Sequence, residues 1–480
     1  MTDILLINPK TGFDIKNVWC HIPLNLLTIS SLLAKNNYNV TLIDQRIDDD
    51  WEYKLNKALK KYPLFVGISS MTGTQIHYGL NIAKIIRENS SSPIVWGGVH
   101  PSLLPLQTIE NDYVDIVIKG EGEETLLELA HNLEKNKSPD NVNGIAYKKG
   151  SKIKMNPDRA FLDLNKLPEL PYHLIDVKKY LKNEPAMPFL SSRGCPYNCK
   201  FCCNLKYSQR MRRAMSTEKA IDGIKYLYEN YKFDRMVFLD ENFFIDKKRA
   251  EKIADNIDNK FDWEVQGVRL DDVRHIDFFK LRKQGLYQFT AGIESGSQRI
   301  LDLVNKRITV EEIIRYNKIM SKTGIITTYN FMMGFPTETK EDIFASIDLT
   351  LKLIKENPNA DITAFYTYVP YPGTKLFDLA VRHGFKAPSD LEGWSNFSRH
   401  HSATPWIKDK KELMENLFFT SKFVDGKRIN RLFDNKSFKR IPPYLLGFMY
   451  RRRWKRHDFK NKIDIKLLKY YIKKKVDLWV

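Results

Sequence analysis

Ser191-Ser192-Arg193-Gly194-Cys195-Pro196-Tyr197-Asn198-Cys199-Lys200-Phe201-Cys202-Cys203 holds four of the chain's five cysteines. Cys195, Cys199 and Cys202 form a C-x3-C-x2-C pattern. Thiolates this close in one loop can face one centre, which suits a soft metal or an iron–sulfur cluster. A mononuclear zinc site usually takes four ligands, often as two separated pairs. Three cysteines in this spacing therefore point to a 4Fe–4S cluster with one iron left open. A reduced, purely structural cysteine cluster is the alternative. Gly194, Pro196 and Asn198 make a tight loop, and the aromatic Phe201 sits inside it.

The segments flanking this loop, residues 188 to about 385, alternate strands and helices. Strands are expected at 235–239, 263–267, 288–296, 329–334 and 362–366, besides the one that leads in through Phe189-Leu190. Helices are expected at 217–228, 247–257 and 310–322. In such α/β arrangements the site lies at the carboxyl ends of the strands. Those ends carry Asp240-Glu241-Asn242, Glu294-Ser295-Gly296 and Gly334-Phe335-Pro336.

The cysteine loop resembles the signature of the radical S-adenosylmethionine (SAM) enzymes, C-x3-C-x-aromatic-C, with the prefix Ser-Arg-Gly-Cys-Pro. The resemblance implies a partial (β/α)6 barrel at 188–390. It implies that Cys195, Cys199 and Cys202 hold three irons and that SAM chelates the fourth. Reduction of the sulfonium would then release a 5′-deoxyadenosyl radical. Phe201 would lie near the adenine, and Gly334 belongs to an adenine-side element. Glu241 or Asn242 would stand where the family grips the SAM amino group, although Leu239-Asp240-Glu241-Asn242 departs from the family's Gly-Gly-Glu-Pro-like wording. Glu294 and Ser295 would face the methionine or ribose part of SAM; helix capping by Ser295 or Ser297 is the alternative. Arg210, Arg212 and Arg213 could meet a carboxylate or phosphate, or form a solvated face. Tyr371 is a candidate to line the substrate pocket. Cys203 lies outside the motif and reads as a packing residue; Cys20 reads as a buried thiol.

Residues 1–140 also alternate strands and helices, with strands expected near 4–7, 40–44, 64–70, 93–98 and 116–120. This predicts a doubly wound parallel sheet that binds ligand outside its carboxyl ends. The elements Gly67-Ile68-Ser69-Ser70-Met71-Thr72, Gly97-Gly98-Val99-His100-Pro101 and Lys119-Gly120-Glu121-Gly122-Glu123 resemble a cobalamin-binding domain. That resemblance implies cofactor contacts by Ser70, Thr72, Gly97, Gly98 and Glu121, with the Ser70 and Gly97 elements around the dimethylbenzimidazole tail. Where methionine synthase-type domains carry a cobalt-ligating His, this chain has Asn8-Pro9-Lys10-Thr11-Gly12. The lower corrin face would then meet the segment around Ile22 to Leu26. His100 reads as a satisfied histidine before a ligand. A degenerate domain that binds no cofactor is the alternative.

Residues 141–187 read as a connector, with a hairpin at 144–150 and an extended Pro/Leu-rich run at 162–172. Residues 391–480 read as a basic helical region, with helices at 411–423 and from 451 on. Of the formal net charge of +19, the segment 451–480 carries twelve Lys or Arg against three Asp, a net of +9. Leu467, Leu468, Tyr471 and Ile472 among lysines suggest an amphipathic helix, resting on an anionic membrane surface or packed on the barrel.

The chain has 480 residues, 42% hydrophobic and 28% charged, enough for two or three domains with full cores. Clustered thiols and the absence of a disulfide framework argue for a reducing cytoplasm. No stretch reaches the roughly 18 apolar residues of a spanning helix, and the N-terminus reads as a strand, not a signal peptide. The family resemblance implies a cobalamin-dependent radical SAM enzyme methylating an unactivated carbon. The alternatives are a radical cyclase, oxidase or rearrangement enzyme without methyl transfer, and a non-catalytic metal- or cobalamin-binding module. A tRNA methylthiotransferase would need a second cluster from three upstream cysteines, where only Cys20 stands, so nucleic acid is not the expected partner. The expected partners are a small-molecule or lipid substrate and an electron donor such as flavodoxin or ferredoxin.

Overall fold

The structure, a computed structural model, describes residues 2–12, 14, 20–395, 397, 404–424 and 443–459. The chain divides into two compact units. One comprises Met1–Pro188, Lys206–Phe233 and Ala387–His401; the other comprises Phe189–Leu205, Asp234–Lys386 and Ser402–Val480.

The first unit is built on a seven-stranded sheet. Its strands are β1 (Asp3–Asn8), β2 (Asn39–Asp44), β3 (Val66–Ser69), β4 (Ile94–Gly97), β5 (Ile116–Ile118), β6 (Ile145–Lys149) and β7 (Lys152–Met155), in the order β2-β1-β3-β4-β5-β6-β7. β1 to β5 pair in parallel. Ile4, Leu5, Leu6 and Ile7 are each 1% exposed, because helices cover both faces of a parallel sheet and demand a continuous apolar run. Leu24–Lys35 and Thr74–Asn89 are two of those helices. The expected hairpin forms, and it adds antiparallel to β5, extending the sheet. The Pro/Leu-rich run contains two short 3-10 turns and buries Leu162, Leu164 and Leu167 against Met215. With the order 2-1-3, the strand order reverses between β1 and β3, the place where such sheets bind ligands outside their carboxyl ends.

The second unit carries a six-stranded sheet, open at both edges. Its strands are β8 (Ala186–Phe189), β9 (Arg235–Phe238), β10 (Asp262–Val268), β11 (Leu286–Glu294), β12 (Ile326–Met333) and β13 (Ala360–Thr367), in simple sequential order. β9 to β13 pair in parallel. Helices 247–257, 310–320 and 340–356 connect them, the last two opened by capping boxes at Thr309 and Thr339. This is the partial (β/α)6 arrangement, without barrel closure. Sequential parallel strands bring every carboxyl end to one rim, so the turns after β8, β9, β10, β11 and β12 share it.

Near the C-terminus, Lys411–Ser421 is helical as expected. A further described helix is Pro443–Lys455, where a helix from Arg451 on was expected; proline is tolerated in a helix's first turn. Its Trp454 is fully buried and donates to Thr420 at 2.9 Å, and His457 stacks on Phe344 at 4.3 Å. The described part of the basic segment thus packs on its own unit. The amphipathic stretch at 467–472 lies outside the described residues. Among the described residues, no helix is long and apolar enough to cross a membrane.

Candidate functional site: the cysteine loop and the glycine-ended sheet

The cysteine loop begins where β8 ends. Gly194 takes φ +82°, and the Cys202 amide donates to the Cys199 carbonyl at 3.1 Å, which curls the loop. Its far side is pinned by three bonds: Lys200 N–H to Val304 O at 3.0 Å, Leu376 N–H to Lys200 O at 3.0 Å, and Asn305 Nδ2 to Asn198 O at 2.8 Å. All the chain's cysteines are free thiols. Burial pushes Cys195 and Cys202 up, Cys202 to about 12, with neighbouring cysteines adding in the same direction. Any metal held here must displace those protons, and its charge supplies the drive. Among the described residues, no three Cys, His, Asp or Glu side chains gather where one ion could hold them.

The turn after β9 braces this loop. Asp240, 1% exposed, accepts from the Ser191 amide at 2.8 Å, from Ser191 Oγ at 2.7 Å and from Ser192 Oγ. Arg249 donates to Ser191 Oγ at 3.0 Å and to its carbonyl at 3.2 Å. Glu241 accepts from the Gly194 amide at 3.1 Å, and burial pushes its carboxyl up. Asn242 Nδ2 donates to Asp272 at 2.5 Å, while its Oδ1 is buried with no hydrogen-bond partner. A buried acceptor left without a donor is costly, and this one awaits a donor that the protein does not provide. Cys203 lies partly buried beside Glu241, and burial pushes its thiol up.

Further along the rim, Glu294 ends β11 in a left-handed conformation, φ +63°. Its Oε1 meets Lys306 Nζ at 2.7 Å, both side chains nearly buried. A Cβ on Gly292 would lie 2.4 Å from Glu294 Oε1, so the glycine leaves that space to the carboxylate. Ser295 is fully buried, 3.2 Å from Ser346 Oγ, and accepts from the Ser297 amide at 3.1 Å. Neither serine caps the helix Gln298–Leu303 through its side chain; Ser297 Oγ donates to Asp342 at 2.6 Å instead. The capping alternative gives way to an inter-helix anchor.

Phe201 packs 6.2 Å from Phe335, in an apolar cluster with Val304, Tyr368 and Leu376. Gly334, at φ +81°, is capped by Trp406, whose Nε1 donates to its carbonyl at 3.0 Å. Met414 Cε would be 2.6 Å from a Cβ there. The fully buried Glu338 accepts from the Gly334 and Phe335 amides, and burial raises its carboxyl to about 8. Tyr371 keeps its carbonyl on Thr374 Oγ1 at 2.9 Å.

In the first unit the glycine-rich strand ends adjoin. Ser70 is fully buried; its amide donates to Gly97 O at 2.8 Å, and its carbonyl accepts from His100 at 3.2 Å. Gly98 sits at φ +105°, where a Cβ would lie 2.6 Å from Ser70 O. Gly120, at φ +72°, has open space where its Cβ would be, so the backbone there is reachable. Thr72 Oγ1 lies 3.0 Å from His100 Nδ1, and His100 packs on Trp394 at 5.8 Å. Burial lowers His100 to about 4, and its Nε2 is buried without a partner. This histidine is neutral and is tied to Thr72. Asn25, exposed in the first turn of the helix after β1, donates to Ser69 Oγ at 3.1 Å and to Asn8 Oδ1 at 3.4 Å. Asn8 also reaches Asp44 at 3.3 Å. Met71 is 48% exposed at the same edge. An exposed apolar side chain, an exposed carboxamide and open glycine backbone at the carboxyl ends of the sheet fit a broad, amide-fringed ring.

Glu121 is held by Arg213. It accepts from both Arg213 nitrogens, at 2.7 and 2.9 Å, and from the Leu162 amide at 3.2 Å. Arg213 also lies over Phe161 at 4.4 Å. The nitrogens Nε and Nη2 of Arg212 are buried without partners. Cys20 is buried, its thiol raised to about 12. Sequence reasoning passed over Arg269 and Lys306 and gave no individual role to Asp240 and Glu338. The polar run Arg269-Leu270-Asp271-Asp272 after a strand was the available signal for the first.

Residues 189–350 match the Radical SAM superfamily, and residues 16–130 match the B12 binding domain. An uncharacterized methyltransferase of Pyrococcus horikoshii is 32% identical over 391 residues, covering 79% of this chain and 83% of that protein. The anaerobic magnesium-protoporphyrin IX monomethyl ester cyclase of Rubrivivax gelatinosus is 25% identical over 92% of this chain and 79% of its own length. Two solved structures share the fold. The cobalamin-dependent SAM radical enzyme OxsB, with aqua-cobalamin and SAM bound, has a TM-score of 0.69 at 20% identity and covers 94% of this chain and 75% of its own. The methyltransferase TsrM from Kitasatospora setae, with cobalamin and a [4Fe-4S] cluster bound, has a TM-score of 0.66 at 18% identity and covers 81% and 76%. Two matched domains in this order, and a relative similar over most of both lengths, place the chain in the family of cobalamin-dependent radical SAM enzymes.

Proposed function

We propose that this chain is a methylase that transfers a methyl group from SAM, by way of cobalamin, to an unactivated carbon of a small-molecule substrate. When bound, the cluster supplies the electron that cleaves SAM, and cobalamin supplies the methyl carrier. Cys195, Cys199 and Cys202 hold the cluster. Asn242 Oδ1 and Glu241 accept from the SAM ammonium, Glu294 faces its ribose, and Phe201 with Phe335 walls the adenine. Ser70, Thr72, Gly97 and Gly98 would line the cobalamin tail, and the exposed Asn25 carboxamide, in the segment Ile22 to Leu26, would meet the corrin ring. Glu121, fixed by Arg213, shapes the edge of that site rather than touching the cofactor.

One observation carries the reading. The turn that braces the cysteine loop through Asp240 and Glu241 also offers a buried acceptor, Asn242 Oδ1, that no protein donor fills. We further propose flavodoxin or ferredoxin as the electron donor and the reducing cytoplasm as the compartment. The test is to load the protein anaerobically with cluster and hydroxocobalamin, then add methyl-labelled SAM and a reductant. The methylase yields S-adenosylhomocysteine as well as 5′-deoxyadenosine, with label on cobalamin. Deoxyadenosine alone would assign the chain to the cyclase-like chemistry of its Rubrivivax relative.

A further inference from the structure

We propose that Arg269 is a positioning residue that sets how easily the cluster on Cys199 is reduced. The inference rests on the cluster reading above. Arg269 follows β10, is 6% exposed, and donates from Nη1 to Cys199 Sγ at 2.9 Å. Three further groups fix its fork. Asp271 accepts at 3.0 and 2.8 Å, the Lys306 carbonyl accepts from Nη2, and the Tyr197 ring lies 3.8 Å below the guanidinium. Tyr197 in turn donates to Asp272, which also holds Asn242. An arginine with this many restraints is preorganised, and its bond to sulfur is charge-assisted.

The physical consequence has a definite sign. A cluster gains negative charge on reduction, and hydrogen bonds and positive charge at its sulfurs favour the reduced form. Arg269 therefore raises the reduction potential. Asp271 opposes it, since a carboxylate close to the guanidinium cancels part of that charge. Lys306 does not add directly, because its ammonium is paired with Glu294. The two variants R269M and D271N should thus move the potential in opposite directions although they break the same contact. A purely structural role for the contact predicts lost cluster and no change in potential for the clusters that remain.

The experiment is a potentiometric titration, monitored by electron paramagnetic resonance, of anaerobically reconstituted full-length protein without SAM, with iron per chain measured on each sample. At the wild-type midpoint, R269M should cut the reduced-to-oxidised ratio about tenfold, which is about 59 mV for one electron. R269K should fall between, and D271N should raise the ratio a few-fold. Equal midpoints in the loaded variants, or a shift of D271N in the same direction as R269M, would overturn the proposal. If R269M fails to load, R269K and D271N decide by the same criterion. A wild-type protein that takes up no cube cluster would instead defeat the cluster reading, and this inference with it.

Discussion

Lys306→Met tests the most expensive contact on the strand-end rim. Lys306 and Glu294 are each less than a tenth exposed and meet at 2.7 Å. Glu294 is held in a left-handed backbone, and its Oε1 fills the space that a Cβ on Gly292 would take. Removing the ammonium leaves a carboxylate buried with neither its partner nor water. Breaking one member of such a pair costs about 3–5 kcal/mol. For a domain of about 150–250 residues, each kcal/mol moves the melting temperature by about 2–4 °C, so the second unit should melt roughly 6–20 °C lower. The double variant K306M/E294Q removes both charges and should recover most of that loss. A thermal melt of the four proteins, followed by circular dichroism, gives the cycle directly. A single variant within about 1 kcal/mol of wild type, or a double variant no better than K306M, would refute the reasoning. Fluorescence or equilibrium dialysis with SAM separates the functional part: E294Q alone should weaken SAM binding to cluster-loaded protein.

Three further outcomes are expected. C202S should lose the iron complement while C203S keeps it, as measured by iron per chain, because only the first belongs to the three-thiol set. Gly98→Ala should cost about 1–3 kcal/mol of backbone strain and abolish hydroxocobalamin uptake, since the new Cβ meets Ser70 O at 2.6 Å; binding is read from the cobalamin spectrum. Glu338 has a folded pKa raised from 4.5 to about 8 by burial. Its contribution is therefore intact below about pH 4.5 and lost as pH rises through 8, with a ceiling of order 5 kcal/mol. E338Q, which mimics the neutral acid, should leave the melting temperature unchanged at pH 5 and raise it relative to wild type at pH 9.

The architecture was legible because parallel strands need apolar runs and their carboxyl ends need small or polar residues. Ile4-Leu5-Leu6-Ile7 before Asn8, and Ile94-Val95-Trp96 before Gly97-Gly98, carry both signals within a few positions. The cysteine loop was legible because its three thiols are close in sequence. Partners distant in sequence were not. Glu121 looked like a ligand at a strand end, yet it meets Arg213, 92 positions away. Arg269 reaches Cys199 across 70 positions, and nothing in its spacing announces that. Ser297 looked like a helix cap, but Asp342 on another helix competes for its hydroxyl and wins. Trp406 and Met414 close over Gly334 from a region that reads only as basic and helical. In each case tertiary proximity, not local pattern, assigned the side chain's role.

The central claim is that three thiolates hold a four-iron cube whose remaining iron is free to bind SAM. The most direct measurement is the electron paramagnetic resonance spectrum of anaerobically prepared, reduced protein, with and without SAM, beside its metal content. Reduced wild-type protein should give a 4Fe–4S signal that shifts on adding SAM and disappears in C195A, C199A and C202A. Zinc in place of iron, or a cluster signal indifferent to SAM, would contradict it.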